Sequence, residues 1–196
     1  MKYWFVPVLV VGLMGGCKNG TSREEGKTES SAEKTTAPLQ QVQQPDDRGY
    51  LVNVGEMAPD FSMKLTTGQE MKLSDFRGKV VMLQFTASWC GVCRKEMPFI
   101  EKDIWLKHRS NPGFALFGID RDEPLETVLK FANQTGVTYP IGLDPNADIF
   151  ALYADRKAGI TRNVIIDREG KIVMLTRLYD EAEFGEMTQL IDSMLQ

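Results

Sequence analysis

The chain has 196 residues, of which 42% are hydrophobic and 26% charged, with a formal net charge of -4. That length fits one domain of about 150 residues plus appendages, large enough to bury a core without staples. The acidic balance and the lack of a Lys/Arg block argue against a nucleic-acid partner, and three cysteines, Cys17, Cys90 and Cys93, are too few and too clustered for a disulfide scaffold.

Residues 1–16 set Lys2 before an apolar run, Trp4 to Met14, and close on Gly15 and Gly16, the layout of an export signal peptide. The run is short for a helix that spans a bilayer. The ending Leu13-Met14-Gly15-Gly16-Cys17 resembles a bacterial lipoprotein processing site. That resemblance implies a diacylated Cys17 as the mature N-terminus and a membrane contact through its lipid; the other reading is an ordinary signal peptide with a spare thiol. From Lys18 to Gly49 the composition is Ser, Thr, Glu, Lys, Gln and Pro with two large aliphatics, Leu39 and Val42, which cannot repay the entropy of ordering. Residues 17–50 are therefore expected to be a lipidated N-terminus and flexible tether reaching about 30 Å. The expected location is the cell envelope, as a membrane-anchored lipoprotein facing the periplasm.

Residues 51–196 read as one domain without internal repeats. Asp60–Leu65 and Glu70–Leu73 predict a hairpin around Thr66-Thr67-Gly68-Gln69. Lys79–Thr86 is almost continuously apolar, the mark of a strand covered on both faces, and Phe114–Asp120 is a second such run. Between them Cys93, Met97, Ile100 and Ile104, spaced four, three and four apart, predict one buried helix face and a right-handed βαβ unit. Pro98 inside this helix should bend it, because it removes a backbone donor.

A further helix is predicted with Pro124 at its first position, Leu125, Val128, Leu129 and Ala132 as its apolar face, and Gly136 at its end. Ala147–Tyr153 predicts a shorter helical piece. Asn163–Asp167 and Lys171–Thr176 flank Arg168-Glu169-Gly170 as an antiparallel hairpin. Asp180 and Glu183 form a cap-and-N3 pair before a helix whose face is Phe184, Met187, Ile191 and Met194. The sum is an α/β domain, a mixed central sheet of about four core strands with helices on both faces.

The chemistry lies in Trp89-Cys90-Gly91-Val92-Cys93, where a buried strand gives way to a helix. Cysteines three apart at a helix start can close a disulfide. Unpaired helix N–H groups favour a thiolate at Cys90, so Cys90 is the expected nucleophile and Cys93 the resolving thiol. Zinc would need two further ligands, and the single histidine, His108, lies about 22 Å away along the same helix. Haem attachment would need a histidine where Arg94 stands. Two inert buried thiols remain the bland alternative, against which the exposed helix mouth argues. Phe99, Trp105, Phe131 and Tyr139 read as packing or rim aromatics; Arg94 and Lys95 read as a solvated face or as an aid to thiolate formation, and Asp120-Arg121-Asp122-Glu123 at a strand end as a polar loop or part of the active-site rim.

At Phe85-Thr-Ala-Ser-Trp-Cys-Gly-Val-Cys-Arg-Lys-Glu-Met-Pro98 the chain resembles thioredoxin-superfamily proteins, and more closely the tethered thiol-disulfide oxidoreductases of the TlpA and ResA type. Gly55-Glu-Met-Ala-Pro-Asp-Phe61 and Leu73-Ser-Asp-Phe-Arg-Gly-Lys79 are similar to that group and to peroxiredoxins. The resemblance implies a thioredoxin-like fold with an added N-terminal β-hairpin, and a redox-active Cys90–Cys93 disulfide with no other cofactor and no metal. It implies Trp89, Gly91, Val92, Ile160 and Thr161 as the active-site rim, and Pro98 and Gln84 as structural neighbours. Glu96 matches a glutamate close to the pair in the cytochrome-maturation members. Such a carboxylate can take the resolving thiol's proton if partly buried; its other reading is a surface group at the helix start.

Two positions depart from the group. Gln84 stands where cytoplasmic thioredoxins carry a buried aspartate. Thr161 stands where the family has a cis-proline, and a non-proline cis bond costs about 2.5–4 kcal/mol, so a trans bond is expected. The loop at Ile160 and Thr161 is expected to present backbone to an extended substrate, and the missing proline lowers one barrier to metal capture. The function implied is a membrane-tethered reductase of disulfides in exported proteins, served by an upstream thiol reductant and acting as a monomeric domain. The rivals are a peroxiredoxin-type thiol peroxidase, opposed by Thr86 standing four residues before Cys90, and a non-enzymatic redox-sensing or metal-handling module.

Overall fold

The computed structural model describes residues 48–196, and Pro7 by itself. The expectations for the signal peptide, for Cys17 and for the tether up to residue 47 lie outside the described residues. The hairpin comes first, β1 (Ser62–Leu65) and β2 (Glu70–Lys72), each alternating exposed and buried side chains. Its turn runs through Gly68 at a φ of 89°, a conformation glycine adopts without steric cost.

Strand β3 (Val80–Thr86) is buried along its whole length. From it the chain enters α1 (Gly91–Phe99), widens to π-helical spacing over Ile100–Trp105 and ends as α2 (Leu106–His108). Cys93, Met97, Ile100 and Ile104 are all fully buried, as their spacing predicts. Pro98 removes a donor from the ladder, and the change of pitch begins two residues after it, at Ile100. The widened turn also buries Glu101, whose carboxylate accepts the Thr138 N–H at 2.7 Å and the Thr138 hydroxyl at 2.6 Å.

The crossover returns as β4 (Phe114–Arg121), parallel to β3, and leads to α3 (Leu125–Thr135). Pro124 stands before the first turn of α3 rather than in it, while Gly136 ends the helix at a φ of 72°. The buried face is Val128 with Phe131; Leu125 and Leu129, expected inside, are exposed. The Phe131 ring also carries the Arg94 guanidinium, 4.9 Å away.

A strand that local patterning does not mark follows, β5 (Ile141–Asp144), then a 3-10 turn at Pro145–Ala147 and α4 (Phe150–Tyr153). The C-terminal hairpin is β6 (Arg162–Ile166) and β7 (Ile172–Arg177), before α5 (Glu181–Met194). The Asp180 carboxylate caps α5, accepting the Ala182 and Glu183 N–H groups at 3.0 Å each. Glu183 reaches Arg48 at 3.1 Å.

Among the described residues these strands make one seven-stranded mixed sheet in the order β2-β1-β5-β4-β3-β6-β7. It exceeds the four expected core strands because β5 pairs parallel with β4 and antiparallel with β1, fusing the N-terminal hairpin to the sheet. Ordered packing also begins before residue 51. Tyr50 is buried, with its hydroxyl 2.5 Å from the Thr176 carbonyl oxygen. Among the described residues no helix is long and apolar enough to cross a membrane.

Candidate active site

Strand β3 ends at Thr86, and a tight turn closed by Cys90 N–H to the Ala87 carbonyl, 3.1 Å, brings Cys90 to the capping position of α1. Its sulfur accepts the Cys93 N–H at 3.1 Å, as an N-cap oxygen would. One helical turn brings the second sulfur beside the first, and Cys90 and Cys93 form a disulfide with their Cα atoms 5.3 Å apart. Cys90 is 7% exposed and Cys93 fully buried. Of the two, only Cys90 keeps any exposure, as expected of the attacking member.

Around Cys90, Trp89 is 64% exposed and Gly91 and Val92 also face solvent. Ile160 and Thr161, expected on the same rim, are instead buried. They sit just ahead of β6, behind the disulfide. The Thr161 hydroxyl lies 3.1 Å from the Cys90 sulfur and 3.3 Å from the Cys93 sulfur. The Thr161 carbonyl is already engaged by the Leu178 N–H at 3.1 Å.

Strand register builds the floor of the site. Gln84 pairs with Asn163 across β3 and β6, and Asn163 pairs with Thr176 across β6 and β7, so three polar side chains share one row and one face. Into this row α1 lowers Glu96, 2% exposed rather than on the surface. Asn163 Nδ2 donates to Glu96 Oε1 at 2.7 Å and to Thr176 Oγ1 at 2.9 Å. The Tyr139 hydroxyl donates to Gln84 Oε1 at 2.6 Å. Among the described residues, Glu96 Oε2 and Gln84 Nε2 complete no hydrogen bond. Burial pushes the Glu96 pKa up to about 7, against the lowering pull of the Asn163 and Gln84 amides.

A second acid group lies under the turn before Cys90. Asp120 is fully buried at the end of β4 beside Thr86, within the strand that the apolar run Phe114–Asp120 predicts and not in a polar loop. Burial and the neighbouring Glu123 and Asp144 carboxylates push its pKa up to about 8. Glu123 accepts the Ser88 N–H at 2.5 Å and the Ser88 hydroxyl at 2.6 Å. Arg94 Nε donates to the Ser88 carbonyl at 2.9 Å, so the turn is held from both sides. Asn163, Thr176, Tyr139 and Glu123 carry no motif. The sequence signal for the row is slight: Gln84 within the mostly apolar β3 and Asn163 ahead of the apolar run Val164–Ile166 in β6.

The chemistry open to a disulfide at a helix start is sulfur exchange, and with a sheet of this order it defines a thioredoxin-like thiol-disulfide oxidoreductase. Comparison with known proteins agrees. The Redoxin family model matches residues 53–191, and the chain belongs to the Redoxin family. It is 31% identical over 138 residues to thiol-disulfide oxidoreductase ResA of Bacillus thuringiensis, covering 70% of this chain and 73% of that one. A solution structure of a candidate protein disulfide isomerase from Bacteroides thetaiotaomicron is 74% identical, with a TM-score of 0.74 over 75% of this chain and 92% of that chain. A crystal structure of a candidate thiol:disulfide interchange protein DsbE from Chlorobium tepidum is 30% identical, with a TM-score of 0.65 over 74% and 99%.

Proposed function

We propose that the chain reduces disulfides in exported proteins, outside the cytoplasm, held to a membrane by a lipid on Cys17 and returned to its dithiol form by a separate thiol reductant. The observation that carries this reading is the Cys90–Cys93 disulfide at the start of α1, with Cys93 fully buried and the buried Glu96 one turn beyond it, its pKa raised to about 7. A base near neutrality inside the fold serves the step in which the buried Cys93 must lose its proton. The export layout of residues 1–17 and the relatives named thiol-disulfide oxidoreductase support the location and the chemistry.

The reaction begins when the Cys90 thiolate attacks one sulfur of a substrate disulfide. A disulfide between Cys90 and substrate forms, and the other substrate sulfur leaves with the electron pair of the broken bond and takes a proton from water. Cys93 then passes its proton to Glu96 and attacks the Cys90 sulfur. The Cys90–Cys93 disulfide forms, and the second substrate sulfur leaves as a thiolate. Two electrons have moved from the cysteine pair to the substrate. Trp89, Gly91 and Val92 receive the substrate, since they are exposed beside Cys90.

Equilibration of the full chain with glutathione buffers, read by mass, tests the direction. A potential at or below roughly -200 mV supports a reductase, and one near about -120 mV makes the protein a disulfide donor.

A further inference from the structure

We propose that the Thr161 hydroxyl acts directly on the two sulfurs, donating to the Cys90 thiolate and accepting from the Cys93 thiol, and so decides which cysteine is the nucleophile. The inference rests on the thiol-exchange reading above and adds a catalytic group to it. In the disulfide neither sulfur carries a hydrogen, so at 3.1 and 3.3 Å the hydroxyl is the only possible donor of these two contacts. Cys90 is the nearer acceptor, and it also receives the Cys93 N–H at 3.1 Å. Two donors thus converge on the sulfur of the less buried cysteine, and Thr161, 3% exposed, has little water to compete for its hydroxyl.

On reduction the pair gains two electrons, and with one proton it becomes a thiolate and a thiol. A hydroxyl has one hydrogen to give and lone pairs to accept with. Giving to Cys90 and accepting from the Cys93 S–H satisfies all three atoms at once and leaves the proton on Cys93. The reverse arrangement would waste the Cys93 N–H, which points at Cys90.

The charged surroundings do not supply this bias. On α1 the buried neighbour is Glu96, and under the preceding turn lie Asp120 and Glu123, acids that bring no positive charge to a thiolate. Arg94 is committed to the Ser88 carbonyl and Gln134, and Lys95 lies over the Tyr179 ring. On β6 the Arg162 guanidinium turns to the Gly159 and Arg48 carbonyls. Hydrogen-bond donors are left to stabilise the thiolate, and proline at this position would provide none.

The test is iodoacetamide alkylation of Cys90 in the reduced full chain across pH, with Thr161→Val, which keeps the shape, and Thr161→Ser, which keeps the hydroxyl. A hydrogen bond to a charged acceptor corresponds to about tenfold. Thr161→Val should raise the Cys90 midpoint by about one pH unit, and Thr161→Ser should stay within about twofold of the parent rate. The glutathione equilibrium of Thr161→Val should shift about tenfold toward the disulfide, ~30 mV more negative for two electrons. A parent-like midpoint in Thr161→Val, or the same shift in Thr161→Ser, would overturn the assignment. Should Thr161→Val lose its cooperative melt, Thr161→Ala is read by the same criteria. Iodoacetamide needs no protein substrate, so failure of protein-disulfide reduction with these midpoints intact would reject the reductase reading alone.

Discussion

Asn163 on β6 donates to Glu96 on α1 at 2.7 Å, joining the sheet to the helix directly beneath the cysteine pair. The other Glu96 oxygen, Oε2, completes no hydrogen bond among the described residues. A buried carboxylate half satisfied in this way favours its protonated form, and its pKa of about 7 follows from burial first. It can thus accept a proton above neutrality and keep it below.

Resolution by Cys93 should therefore speed up as pH rises through about 7, as Glu96 becomes the carboxylate. Glu96→Gln should remove that inflection and slow resolution by about 10²-fold, while attack by Cys90 continues. Stopped-flow decay of a preformed mixed disulfide on Cys90 separates the two steps. A resolution rate equal to the parent's across pH would remove Glu96 from the proton path.

Asn163 should set where that inflection falls. Its amide stabilises the charged form of Glu96, so Asn163→Ala should move the inflection above about 7 and cost about 1–3 kcal/mol, because Glu96 and Thr176 both lose a buried partner. Urea unfolding together with the same pH profile checks both effects. A loss of stability with an unmoved inflection would make Asn163 structural only.

The contrast between α1 and its floor explains what was legible. The helix face of Cys93, Met97, Ile100 and Ile104, the buried β3 and the β6–β7 hairpin follow from periodicity over neighbouring residues, and all three form as expected. The row of Gln84, Asn163 and Thr176 depends on register between strands about 80 and 13 residues apart, which periodicity within a strand does not encode. Strand β5 is short and carries Gly142, against which the Met63 side chain packs so closely that a Cβ would collide with its sulfur. Four residues with a glycine leave no alternation to read. Thr161 was visible as a missing proline, but the place of its hydroxyl between two sulfurs comes from tertiary packing.

Cys17→Ser should abolish membrane attachment if the sequence Leu13-Met14-Gly15-Gly16-Cys17 is processed as a lipoprotein signal. Intact mass of the mature protein and its partition between membrane and soluble fractions check this. An unmodified Cys17 in the mature parent chain would overturn the lipid anchor and leave the thiol chemistry of residues 51–196 unaffected.

Asp120 links the site to the stability of the fold. Its folded-state pKa of about 8 stands far above the ordinary 3.8, because it is buried among Glu123 and Asp144. Between those two values the folded state holds a proton that the unfolded chain has released. Stability must then fall as pH rises from about 4 to about 8, with a slope of up to about 1.4 kcal/mol per pH unit from this one group. Glu96 adds to the same trend between 4.5 and about 7. Asp120→Asn cannot ionise, and its amide has the Glu123 carboxylate as a neighbouring acceptor, so it should flatten the slope and leave the variant more stable than the parent near pH 8. Urea titrations at several pH values from 4 to 9 measure it. A parent whose midpoint is constant across that range, or an Asp120→Asn variant that tracks the parent's slope, would show that Asp120 is ionised in the folded protein.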